Sequence, residues 1–141
     1  MRNRIRVLCT IVLAVVVAQS VAVAETLPDP SKLDDSQLRT TLDSLMMKNF
    51  ANAGMLDAVA EKCPEFKMTS KGREYRKQIA SKVNESMHEY LMKVYDQGHT
   101  LGVNTGCNTK SVNDLMNTLE VEKVNADLQA ATAEVNRRHQ K

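Results

Sequence analysis

Few residues of this chain have the types and spacing for chemistry. There are three cysteines, Cys9, Cys63 and Cys107, and three histidines, His88, His99 and His139. Two cysteines that remain together in an oxidising compartment favour one disulfide, so Cys63–Cys107 is the expected pair. Closing that loop stabilises a domain by about 4 kcal/mol in the chain-entropy model. Paired cysteines cannot act as nucleophiles. No histidine stands in a triad pattern, and there is no Gly-rich phosphate loop, zinc-ligand spacing or haem CxxCH. Glu85-Ser86-Met87-His88 matches Glu-x-x-His, but di-iron bundle chemistry takes two such motifs and two further glutamates on facing helices. One copy stands here. The expectation is a protein that is not an enzyme, with no cofactor and no metal ligand set.

One group of side chains asks for a partner. On a helix through this region, His88, Met92 and Tyr95 lie opposite the main apolar stripe, with Glu85 one turn away. A Met and a Tyr on a nominally polar face predict an exposed patch that something covers. His88 and Met92 at i, i+4 offer an imidazole and a thioether, a soft pair suited to Cu(I) but short of a full ligand set. Asn84-Glu85-Ser86 is formally a glycosylation sequon, read here as incidental because it falls inside a helical pattern.

The elements that must position these residues read as all-α. There is no Trp, and past the N-terminal segment the aromatics are Phe50, Phe66, Tyr75, Tyr90 and Tyr95. The core must come from Leu, Val, Met and Ala, which suits helices better than a β-sandwich. Asp34, Asp35 and Ser36 offer helix N-caps. Leu38, Leu42, Leu45, Met46 and Phe50 recur at helical spacing, Asn52-Ala53-Gly54 interrupts, and Met55, Leu56, Val59, Ala60 and Cys63 resume it. This predicts helices at 35–50 and 54–62, or one bent helix, stopped by Pro64. Thr69 or Ser70 caps a long central helix to about Gln97, with Tyr75, Ile79, Val83, Met87, Tyr90, Leu91 and Val94 as its apolar face. Gly98, Gly102 and Gly106 predict a loop over 98–110. Ser111 caps a last helix to about Arg138. In its first half Val112, Leu115, Met116 and Leu119 share one face. Its second half carries a seam, Val121, Val124, Leu128, Ala131 and Val135, rotated by roughly 140°. Either the helix kinks near Glu120, or the seam meets another partner, a second copy among them. The expected fold is a small bundle of three to five helices with long central and C-terminal members.

The disulfide sets a geometric problem. A straight helix over 70–97 would be about 42 Å long and would hold Cys63 and Cys107 at opposite ends. The flanking loops could span that distance only when nearly fully extended. Three solutions remain: the helix breaks, with Asn84 starting a new one; the glycine-containing loop runs back along it; or the bond joins two chains. The intramolecular bond is the favoured expectation.

Residues 1–24 read as a cleavable secretory signal. Arg2, Arg4 and Arg6 precede an apolar run from Val7 to Ala18, and Ala22-Val23-Ala24 offers a small-x-small cleavage site. Cys9 would leave with it. The remainder, 25–141, reads as one helical domain with no segment for stable membrane insertion after cleavage. The formal net charge of +2 then falls to −1, with 16 basic against 17 acidic side chains. Residues 62–82 carry seven basic side chains against Glu65 and Glu74. That run reads first as a solvated helix face complemented by acids elsewhere, with an anionic partner as the sharper alternative. Nothing predicts nucleic-acid binding.

This layout of export segment, helical domain and one cysteine pair resembles two families. One is the periplasmic acid-stress chaperones of the HdeA type. The other is the small helical immunity proteins that neutralise type VI secretion effectors. The shared features are the two cysteines and the helical pattern. The resemblance implies an exported protein, in the periplasm or secreted, that works on other proteins. The functional expectation is therefore a non-enzymatic exported protein acting by protein–protein contact, as chaperone, inhibitor, immunity factor or accessory subunit. The alternative is a small-ligand, copper or haem carrier.

Overall fold

A computed structural model describes residues 27–66 and 72–140. The expected signal segment, Cys9 and the expected Thr69 or Ser70 cap lie outside the described residues. Among those described, a 3-10 turn, Pro30–Lys32, precedes five α-helices: α1 Asp35–Lys62, α2 Gly72–Ala80, α3 Glu85–Gly102, α4 Thr109–Leu119 and α5 Val121–His139. The fold is the expected all-α bundle. None of these helices is long and apolar enough to cross a membrane.

The axis of the bundle is α1, 28 residues without a break. Asp34 caps it by accepting from the Gln37 backbone N–H at 2.8 Å, while Gln37 Oε1 accepts from the Asp34 N–H at 3.0 Å. That reciprocal pair satisfies two donors the helix would otherwise leave open. Asn52-Ala53-Gly54 does not interrupt the helix. Neighbours pack on every side there: the Asn52 amide donates to the Leu119 carbonyl at 2.9 Å, and Gly54 lies against the α3 backbone.

The long central helix of the sequence reading is two helices. α2 ends at Ala80, and Asn84 caps α3 by accepting from the Met87 N–H at 2.9 Å. This occupies the side chain of the sequon asparagine. The break folds the chain back: α2 runs antiparallel to α1, and α3 runs parallel to it. Arg76 of α2 reaches Asn49 while Gly72 lies against Asp57. In α3, Gly98 faces Ala51 and Gly102 faces Met55. α3 therefore runs towards the same end of the bundle as α1, and after a short turn Cys107 bonds Cys63 within the chain across a Cα–Cα distance of 5.4 Å. Breaking the helix is the solution the molecule uses.

Gly98 and Gly102 are helical, which corrects the expected loop over 98–110. Gly98, inside the helix, costs about 1 kcal/mol relative to alanine, and Gly102 is its last residue. What they permit is backbone contact. A Cβ on Gly54 would overlap the Tyr95 carbonyl oxygen, one on Gly98 that of Ala51, and one on Gly102 that of Met55. Spaced four apart, Gly98 and Gly102 form a flat strip that lets α3 lie directly on α1.

After the disulfide, Asn108 caps α4 by accepting from the Ser111 N–H at 2.8 Å, three residues before the expected cap. The last helix kinks at Glu120, which takes the left-handed conformation with φ 48°. The turn explains the two rotated faces. α4 and α5 together run antiparallel along α1. Val112 packs with Val59 and Cys63, and farther along Leu128, Ala131 and Val135 pack with Leu38 and Leu45.

Candidate functional site

The site follows from a mismatch of lengths. α2 has nine residues and covers α1 only from Asp57 to about Asn49 before the chain turns into α3. The same face of α1 continues for three more turns with no helix in line with α2, and α5 covers only its edge, at Leu38 and Leu42. Leu38, Leu42 and Met46, at four-residue spacing, form the floor of a groove there. Val83 and Met87 close it on the α3 side and Val135 on the α5 side. Its volume is about 730 Å³. It occupies the place a longer α2 would have filled.

The rim is polar and of mixed sign: Asp35, Arg39 and Asp43 along α1, Asn84 at the start of α3, and Arg138 with His139 at the end of α5. Arg138 is held on four sides. It donates to Glu134 at 2.7 Å, Asp35 at 2.6 Å, and the Leu33 and Pro30 carbonyls at 2.7 and 3.3 Å. Arg137 also donates to Glu134 through Nε at 2.7 Å. These charge-assisted bonds, from Arg137 first and then Arg138, hold the Glu134 carboxyl at about 2, below its ordinary 4.5. One wall of the groove is thus fixed by an ion cluster, while two methionines in the floor and opposite wall supply adaptable apolar surface.

Above the groove, where α2 does cover α1, polar side chains knit the three helices together. The Tyr95 hydroxyl donates to Asp57 at 2.5 Å, both residues being buried. Burial and then that bond push the tyrosine well above its ordinary value, so it stays protonated. Arg73 lies over the Tyr95 ring at 5.9 Å and pairs with Asp96 at 3.3 Å. Arg76 stacks on Phe50 and Tyr75 and donates to Asn49, whose amide donates to Asn125 at 2.6 Å. Burial lowers the pKa of Arg76, and its Nε has no hydrogen-bond partner among the described residues. The cluster fixes α2 in place. Lys62, Arg73, Arg76 and Lys77 of the basic run all have partners within the chain.

The residues singled out from sequence scatter. Glu85 is exposed in the first turn of α3, and His88 is half-buried. Met92 packs against the core formed by α1, α2 and α3. Tyr95 is fully buried, which corrects its place in an exposed patch. The cause is the break at 81–84. α3 packs on two neighbours, α1 and the returning α2, so its buried arc is wider than one stripe. Tyr75 and Tyr90, expected inside, are 57% and 49% exposed. Glu85 and His88 have no third His, Cys, Asp or Glu ligand beside them among the described residues. In the seam, Val124 and Ala131 are buried, while Val121, Leu128 and Val135 are half-buried. The face containing Leu128, Ala131 and Val135 packs on this chain's own α1 and on Leu27 and Leu33 of the leader.

Sequence reasoning did not find the groove, Asp57 or Arg138. The signal for the groove was present: once Asn84 starts a helix, α2 is too short to cover α1. The chain matches no family model, no curated protein and no solved structure.

Proposed function

We propose that this is a non-enzymatic exported protein that holds an apolar helical segment of another protein in the groove over α1. The observation that carries the reading is the partly covered face of α1 in line with α2. Leu42 and Met46, one turn apart, present half-buried apolar side chains on the floor of the groove, and Leu38 continues the row where α5 has already buried it. An amphipathic helix laid there would meet the same kind of surface that α2 meets farther along. A floor containing Met46 beside Met87 favours tolerance of partner sequence over strict selectivity. Export is supported by the N-terminal signal pattern and by the disulfide.

A fluorescein-labelled model helix of Leu, Ala and Lys, about three turns long, tests the reading by fluorescence anisotropy. The protein should bind it, and Met46→Glu should weaken binding by roughly tenfold or more, equivalent to about 1.4 kcal/mol. Tyr90→Glu, on the exposed side of α3, should leave binding unchanged. Absence of binding, or equal binding by a Met46→Glu variant with intact helical circular dichroism, would overturn it.

A further inference from the structure

α1 and α3 are parallel; α3 ends opposite Met55, and the turn that follows brings Cys107 to Cys63 at the C-terminus of α1. The last carbonyls of α1 make this corner the negative end of its helix dipole. The molecule already places one cation there: the Lys62 ammonium donates to the Val103 and Thr105 carbonyls at 2.8 and 2.9 Å. Beside the bond stands Glu65. One carboxylate oxygen of Glu65 and the two sulfurs all lie within 4.8 Å of one another. Among the described residues no other three His, Cys, Asp or Glu side chains bring ligand atoms so close.

We propose that reduction of the Cys63–Cys107 disulfide converts this corner into a zinc site, with the two sulfurs and a Glu65 carboxylate oxygen as ligands and a water in the fourth position. The reductant is a dithiol. Its thiolate attacks the sulfur of Cys107, the exposed partner, and Cys63, which is fully buried, leaves. The second thiol of the reductant then resolves the mixed disulfide. The S–S bond of the protein breaks, its two sulfurs take two electrons and two protons, and the dithiol becomes a disulfide. Zinc binding displaces both thiol protons to solvent.

Charge and geometry both favour the metal over bare thiolates. Two thiolates and a carboxylate at the C-terminus of α1 repel one another and the negative end of its dipole. Zn²⁺ leaves that set at −1. Two thiolates on one tetrahedral zinc sit about 3.8 Å apart, given Zn–S distances of about 2.3 Å. A Cα separation of 5.4 Å accommodates that spread by side-chain rotation. Two thiolates and a carboxylate form a borderline-soft set that suits zinc better than calcium or magnesium.

The test is titration of the full protein with Co²⁺ after reduction by a phosphine under argon. The reduced protein should take one equivalent, with a thiolate-to-cobalt charge-transfer band that Zn²⁺ abolishes, and the oxidised protein should show no band. Glu65→Gln should weaken Co²⁺ binding by roughly tenfold, and Cys107→Ser should remove the band. If reduction lowers the helical circular dichroism, zinc should restore it. No band in the reduced protein, unchanged affinity in Glu65→Gln, or lost helicity that zinc does not restore would each overturn the proposal.

Discussion

The two halves of α1 are built alike in sequence and used differently. From Asn49 to Cys63 the helix is enclosed: α3 lies against it through glycine, α2 is fastened by Arg76 and Asp57, and α4 brings Val112 and the Leu119 carbonyl. From Asp35 to Met46 it has α5 and the leader on one side and the groove on another. Both halves carry apolar residues at helical spacing. Hydrophobic pattern therefore says that a face is to be covered, and the lengths of the neighbouring elements decide whether the chain itself covers it. The enclosed half is where substitutions should unfold the protein, and the open half is where they should alter binding.

The largest expected effect breaks the enclosed half at its tightest point. Gly98→Leu puts a side chain into the Ala51 backbone and should lower stability by about 3 kcal/mol or more. Urea unfolding measures this, and a loss below about 1 kcal/mol would mean that α1 and α3 do not touch through their backbones. Next is Tyr95→Phe, which leaves the buried Asp57 carboxylate without its hydroxyl donor and should cost about 2 kcal/mol, read the same way. The smallest effect belongs to the open half and depends on pH. Because the folded Glu134 carboxyl sits at about 2 against an ordinary 4.5, its stabilisation is fully present above about pH 4.5 and is lost as pH falls towards 2. Glu134→Gln should flatten the dependence of Tm on pH within that window and leave the enclosed half unaffected. A variant whose Tm falls with acid as steeply as the parent's would remove Glu134 from the account.

What could be read from the sequence followed local chemistry. The Asp34 cap, the Asn84 start and the turn at Glu120 are matters of side chain and backbone within a few residues, and each stands where the pattern placed it or offered it as an alternative. The disulfide argument reached further, because a covalent bond between Cys63 and Cys107 excludes a straight rod between them. Gly98 and Gly102 read as loop residues because a glycine that ends a helix and one that lets a second helix approach look the same until the second helix is known. Tyr95 was placed outside for a related reason: its apolar ring and its hydroxyl both find partners, but Asp57 lies 38 positions away in sequence. The groove is a property of no single segment, since it is the difference between the lengths of α1 and α2.

The clamp made by Arg138 also sets an order of events. Its contacts with Asp35 and with the Leu33 and Pro30 carbonyls join positions more than a hundred residues apart. Chains emerge N-terminus first, and contacts of such separation form only after both ends are present. The second wall of the groove is therefore the last part of the protein to arrive. Until it does, Leu38, Leu42 and Leu45 have no α5 to pack against, and a chain shortened before Val135 would keep that face open for good.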